Sequence, residues 1–170
     1  MKVASLEAIL NVLNENDVRY LIVGGLAVAA HGYGRLTFDL DLVLQLQRDN
    51  VARAIKALES LGYKSLVPVP ANAFADEVNR QAWIREKNMV VFQLHSDSHR
   101  DTPIDLFVSE PFDFDEEYAQ AATGELLPGL VARFVRLDTL IRMKEAAGRE
   151  KDLEDVRQLR LLQEHPEDDG

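Results

Sequence analysis

The sequence predicts a mixed α/β domain: a mixed sheet flanked by helices, with a helical C-terminal part packed against it. Three observations predict it. Short apolar runs, YLIV at 20–23 and the apolar part of PIDLFVSE at 103–110, stop at glycine or at polar residues, as buried strands do. The run TFDLDLVL alternates apolar and polar residues over part of its length, the period of a strand. Apolar residues recur at i, i+3, i+4 and i+7 near the N-terminal end and at i, i+3 and i+4 from Leu137, the period of an amphipathic helix.

The elements follow in order. Leu6, Ile9, Leu10 and Leu13 define a first helix, with Ser5 or a neighbour as its cap. YLIV is a buried strand running into the Gly24-Gly25 turn. LAVAAHGYG is a short helix ended by Gly32 or Gly34. In the next strand Phe38, Leu40 and Leu42 share one face, and Thr37, Asp39, Asp41 and Val43 the other. Val51, Ala54, Ile55 and Leu58 define a helix closed by Gly62. LVPVPANAF holds two prolines and is not a central strand throughout. AFADEVNRQ reads as a short helix, and WIREKNMVVFQLH as a hairpin turning near Lys87 and Asn88. SDSHRDT is a polar loop. PIDLFVSE is a strand with Ile104, Leu106 and Val108 on one face and Asp105 and Phe107 on the other. An acidic helical segment, two extended pieces around Pro128-Gly129, and two helices meeting at Gly148 complete the chain. The expected organisation is one domain over 1–165, with a core at about 18–110, helices at about 136–163 and an acidic tail at 166–170.

The formal net charge of -10 argues against an extended nucleic-acid footprint or an anionic-membrane partner, which need clustered Lys and Arg. It suits a carboxylate site that holds divalent cations. It also suits a polycationic drug-like acceptor. With no cysteine in the chain, disulfides and thiolate zinc sites are excluded. His31, His95, His99 and His165 are scattered without a zinc-helix spacing, and His95 and His99 read as a strand-end residue and a solvated loop residue. The N-terminus lacks the unbroken apolar core of an export signal, and no run is long enough to span a membrane, so a cytoplasmic location is expected.

Asp39 and Asp41 are the sharpest feature. Residues i and i+2 of a strand project to one side, about 6–7 Å apart along it. Two carboxylates so arranged can share a hard cation, and Mg²⁺ takes one or two carboxylates together with substrate phosphates. The competing reading is the solvated face of an edge strand. Upstream, paired glycines at a strand-to-helix turn permit close backbone approach, and the helix N-terminus offers N–H groups to phosphate oxygens. Asp105 is a third acid, read as a general base, a metal ligand, or a polar strand-edge residue. On the last helices, Lys144 sits where the pattern of Leu137, Leu140 and Ile141 predicts an apolar residue. It either snorkels to water or reaches into a cleft to meet a triphosphate. Arg149 and Lys151 follow it as candidate phosphate partners, and Asp152 and Asp155 are there to orient them or to decorate the helix. Arg35 and Thr37, beside the acid pair, are candidates for phosphate contact.

The stretch from Gly24 to Asp41, GGLAVAAHGYGRLTFDLD, resembles the nucleotidyltransferase superfamily signature: a glycine turn, a helix, then a strand bearing Asp-x-Asp. The run Arg35-x-Thr37-x-Asp39-x-Asp41 is similar to a small bacterial branch that includes AbiEii-type toxins and minimal nucleotidyltransferases. PIDLF resembles the third-acid strand, and Lys144 to Asp155 resembles a K-x₃-G-R-x-K-D-x₂-D pattern. The resemblance covers about residues 18–160. It implies Mg²⁺-dependent transfer of a nucleoside monophosphate from an NTP, with Mn²⁺ as an alternative metal held by Asp39, Asp41 and Asp105. The acceptor it implies is an RNA end, a partner protein or a small molecule, and a cognate toxin or antitoxin partner is implied with it. One departure stands out: the usual Gly-Ser turn is Gly24-Gly25 here, so phosphate contact there rests on backbone N–H groups. The reading from a different class is a non-catalytic nucleotide-binding or antitoxin-type module that keeps the fold.

Overall fold

The computed structural model describes residues 1–165, so the acidic tail expected at 166–170 lies outside the described residues. The described chain forms one seven-stranded sheet with helices on both faces. The strands are β1 (Tyr20–Val23), β2 (Leu40–Leu44), β3 (Lys64–Ser65), β4 (Val91–His95), β5 (Ile104–Phe107), β6 (Ala122–Leu127) and β7 (Leu130–Phe134). Their order across the sheet is β3-β4-β5-β2-β1-β7-β6. β2 stands at the middle, antiparallel to β1 and parallel to β5.

The helices are α1 (Val3–Glu15), α2 (Gly24–Ala30), α3 (Arg48–Glu59), α4 (Glu77–Lys87), α5 (Phe114–Ala119), α6 (Leu137–Ala147) and α7 (Glu150–Glu164), with a 3₁₀ turn at Ala71–Ala75. Leu6, Ile9, Leu10 and Leu13 are all buried, as their spacing requires. Phe74 of the 3₁₀ turn and Trp83 of α4 both stack on Phe92 of β4, which fixes these two elements on the face opposite Gln93. On the other face, α2, α6 and α7 pack together beside the acid-bearing strands. Leu40, Leu42 and Val43 of β2 are buried, so the central strand is covered on both sides. That is the pattern of an interior strand, not of a solvated edge.

Three local expectations need correction. Ser5 is not a cap: the helix starts at Val3, with Lys2 in the cap position, and the Ser5 hydroxyl meets His99 Nδ1 at 2.9 Å. His99 is therefore not a solvated loop residue; it is half-buried and also stacks on Tyr63. The predicted hairpin at 83–95 is a helix followed by a strand. Asp76 caps α4 by accepting from the Val78 N–H, and Trp83 and Ile84 pack against the core. Asn88 ends the helix in the left-handed conformation, φ 50°, which asparagine tolerates better than most residues. A turn-forming residue was correctly located there, but it joins a helix to a strand.

Glu117 on α5 is a buried anchor. It accepts bonds from the Arg136 N–H and guanidinium and from the Thr139 hydroxyl. Burial raises its pKa, but these donors outweigh burial and hold the carboxyl below the usual glutamate range. The stabilisation is thus present above the ordinary glutamate pKa and fades as pH falls through the lowered native value. Glu117→Gln is expected to lower unfolding free energy by about 2–3 kcal/mol at neutral pH. Urea titrations across the acid range check this, because the variant loses part of the acid-limb slope.

Candidate active site

Each chemistry-bearing side chain is brought to one cleft by a backbone feature. The parallel register of β2 and β5 sets Asp41 beside Asp105. The antiparallel register of β4 and β5 sets Gln93 beside Asp105, and Gln93 Nε2 donates to Asp105 Oδ1 at 2.8 Å. On the other flank, Val23 pairs with Asp41. The row Asp41–Asp105–Gln93 therefore crosses three strands on one face. Asp39 and Thr37 both lie before β2 begins, so the expectation that they share a regular strand face with Asp41 is corrected. The Thr37 hydroxyl donates to the Asp39 carbonyl at 3.2 Å, which shapes the approach to the strand.

The glycines are explained by their neighbours. Gly24 has φ +67°, and a Cβ built there would come within 2.6 Å of Asp41 Cγ. A Cβ at Gly25 would meet Thr37 Oγ1 at 2.6 Å and Arg35 Nη2 at 3.2 Å. Both glycines let the α2 start sit against the acid strand. Gly24→Ala imposes left-handed strain of about 1–2 kcal/mol and also displaces the Asp41 side chain. The expected result is a lower melting temperature together with at least a tenfold loss of whatever reaction Asp41 supports.

The basic side chains come from the other wall. Lys144 does not snorkel: it is buried, with Nζ 3.2 Å from Asp152 Oδ1 and 2.9 Å from Asp155 Oδ2. Arg149 Nε donates to Asp152 Oδ2 at 2.6 Å. Arg35 Nε is 3.1 Å from Asp155 Oδ1, an ion pair without hydrogen-bond alignment. Asp152 and Asp155 thus orient Lys144, Arg149 and Arg35 from beneath. Burial raises the Asp152 pKa, yet its bonds to Arg149 and Lys144 bring the carboxyl below its ordinary range. Lys151 is exposed at the cleft mouth.

The cleft has a volume of about 500 Å³. It is lined by every residue read from the sequence as a metal, base or phosphate candidate: Asp39, Asp41 and Asp105, the two glycines, Arg35, Thr37, Lys144, Arg149 and Lys151. Its electrostatics are those of crowded acids. Burial, then Asp105 and Asp39, pushes the Asp41 carboxyl up to about 7, while Lys144 and Arg149 pull the other way. Burial also raises the Asp105 pKa, opposed by the Gln93 bond. Among the described residues no three acid or histidine side chains close into a ready-made metal cage. The acids line an open cleft instead.

Sequence reasoning missed two contributors. Gln93 was assigned to a hairpin arm, although its place between buried Phe92 and Leu94 was the signal that it faces the other way. The apolar part of the wall, including Val91, Phe107 and Met143, had no motif to announce it.

The fold has solved counterparts. The structure of ANT(2'')-Ia in complex with adenylyl-2''-tobramycin matches with a TM-score of 0.57 at 16% identity, over 92% of this chain and 86% of that one. The lincosamide antibiotic adenylyltransferase LnuA, lincomycin-bound, matches with a TM-score of 0.62 at 14% identity, over 94% of this chain and 97% of that one. A solution structure of the antibiotic-resistance factor ANT(2'')-Ia matches at 0.58 and 17%, over 91% and 80%. No family profile and no curated protein sequence matches the chain. At these identities the likeness is one of fold: the chain shares a mixed α/β fold with these structures. Among the described residues no helix is long and apolar enough to cross a membrane.

Proposed function

We propose that the protein is a nucleotidyltransferase that moves a nucleoside monophosphate from an NTP to an acceptor hydroxyl. The observation that carries this reading is the alignment of Asp41 with Asp105 across β2 and β5, next to Asp39 and under a wall of three oriented cations. Phosphoryl transfer asks a protein chiefly to position reactants and to neutralise charge. Carboxylates alone would repel a triphosphate, and the cations alone would lack a place for a metal. The cleft holds both.

The donor set fits a hard divalent cation. It offers only oxygens, and positive charge between the acids would offset both the burial and the neighbouring carboxylates that raise the Asp41 pKa. An open arrangement also leaves positions for phosphate oxygens. Asp39 and Asp41 would hold Mg²⁺ (or Mn²⁺), with Asp105 as a further ligand or as the base. A bound cation supplies neutralisation of the phosphates and of the leaving group.

The chain's own groups divide the rest. Gly24 and Gly25 bring backbone close to the acids, and Arg149, Lys151 and Arg35 meet the outer phosphates. The acceptor oxygen forms a bond to the α-phosphorus. The bond from that phosphorus to the bridging oxygen breaks, and pyrophosphate leaves with the electron pair. The hydroxyl proton passes to Asp105, whose Oδ1 is held by Gln93 and whose other oxygen is left to receive it.

The test is incubation of the chain with each α-labelled NTP, Mg²⁺ and fractionated cell extract. Label on an acceptor, matched by pyrophosphate release, is expected. Tight NTP binding with no pyrophosphate released in any fraction would instead identify a non-catalytic nucleotide-binding module.

A further inference from the structure

We propose that the acceptor is an uncharged hydroxyl compound with an apolar face, bound over β4 and β5. This rests on the nucleotidyl-transfer reading and narrows it.

The first argument is direction. In an in-line transfer the attacking and leaving oxygens stand on opposite sides of the phosphorus. The basic side chains meet the acid row from the α6–α7 side: Lys144, Arg149 and Lys151 belong to those helices and their junction, and the Arg35 guanidinium is drawn to Asp155 of α7. Pyrophosphate belongs on that side. The attacking hydroxyl then approaches from the opposite side of Asp41 and Asp105, which is the β4–β5 side.

The second argument is what that side offers. Val91 pairs with Phe107 one side-chain step from the Gln93–Asp105 pair, about 7 Å along the strands. Gln93 is the polar side chain on this floor, and it is already bonded to Asp105. Val90 at the edge is 64% exposed, and Leu36 and Phe38 on the loop before β2 are 79% and 67% exposed. The apolar side chains among these all line the cleft, while Gln93 stands behind Asp105. Other exposed apolar side chains, such as Leu66, Val78 and Leu161, lie outside the cleft, whereas Val90, Leu36 and Phe38 gather around one opening beside Val91 and Phe107 and mark a binding surface.

The third argument is charge. The carboxylates lining the cleft are Asp39, Asp41, Asp105 and Asp152. The first three are the proposed metal and base groups, and Asp152 is bonded to Lys144 and Arg149. No lining carboxylate remains to receive the ammonium groups of a polycation. The lining cations are all on the phosphate side, so no basic track leads an RNA backbone across β4–β5. The acidic balance of the whole chain therefore does not translate into a site for a polycationic acceptor.

The experiment compares three probes: phenyl β-glucoside, the polycationic sugar kanamycin, and a short RNA oligonucleotide with a free 3′ hydroxyl. Binding is read by ligand-observed NMR in the presence of Mg²⁺ and a non-hydrolysable NTP analogue, and turnover by pyrophosphate release. Phe38→Ser and Val91→Gln serve as variants, the first at an exposed site where folding is not at stake. Preferential binding of the phenyl glucoside is expected, weakened at least about tenfold in both variants, with affinity for the NTP analogue unchanged. Preference for kanamycin or RNA overturns the assignment. So does phenyl glucoside binding that is absent, or no weaker in the variants. A loss of NTP affinity in the variants also overturns it, because the apolar floor would then hold the nucleoside. Binding as expected with no pyrophosphate released under any condition leaves the apolar subsite standing and removes the nucleotidyl-transfer reading.

Discussion

Replacing Asp39 and Asp41 together by asparagine is expected to abolish nucleotidyl transfer while leaving the protein at least as stable as before. A cation at a transferring phosphate contributes several kcal/mol. At about 1.4 kcal/mol per decade, the loss corresponds to at least about a thousandfold in rate. Asparagine keeps the shape and removes the charge. The stability half follows from the raised Asp41 carboxyl: burial and two neighbouring acids oppose its ionised form. A group whose native pKa is raised destabilises the fold at pH values above its unfolded pKa. Removing that charge removes the penalty, so the melting temperature without metal is equal or higher. Added Mg²⁺, which should stabilise the parent by binding its native state, should leave the double variant unmoved. Calorimetry with and without Mg²⁺, beside a label-transfer assay, reads both halves. Persistent transfer, or a cooperative collapse of the variant, would return these residues to a structural role.

Lys144→Met is expected to act in the opposite way, through the fold. Lys144 is buried against two carboxylates that are themselves buried. Removing one partner of such a cluster strands the others, typically at about 3–5 kcal/mol. For a chain of this length that is a drop of roughly 10 °C in melting temperature. Arg149 still reaches Asp152 and Arg35 still neighbours Asp155, which keeps the loss near the lower end. Adding Asp155→Asn to the lysine variant should restore part of the stability, since one uncompensated charge goes with it. The non-additivity measures the coupling within the cluster. Chemical denaturation of the two singles and the double completes the cycle. A lysine variant of unchanged stability would show that the pair contributes nothing net.

Most of the sheet was legible because its strands carry their own signals. YLIV, the Asp-x-Asp run and PIDLF are short, apolar and punctuated, and each lies in the sheet as β1, β2 or β5. The α6 and α7 helices were legible from their periodicity, and Gly148, at φ 66°, is the cap that separates them. Residues 83–88 misled, because Trp83 and Ile84 beside a turn-forming Asn resemble a strand entering a hairpin. What decides for helix is an Asp76 cap seven residues earlier and stacking on Phe92, a long-range contact that no local pattern carries. In the site, the individual residues could be named from type and spacing. Their partners could not: that Asp41 stands beside Asp105, or that Asp155 joins Lys144 to Arg35, depends on strand register and helix packing. The apolar floor over β4–β5 was invisible for the same reason.

The central position of β2 has a consequence for how robust the acid pair is to local opening. Neighbouring strands are held about 4.8 Å apart by their backbone ladder, so the spacing of Asp41 and Asp105 is fixed by main-chain pairing and not by a mobile loop. Proteins open in pieces, and outer pieces open first. Here β3 and β6 are the outermost strands, and three strands flank β2 on each side. Fraying of either margin leaves the acid pair aligned. The proposed chemistry is therefore tied to the interior of the sheet, and sequence drift can remodel the periphery while the acid pair keeps its geometry.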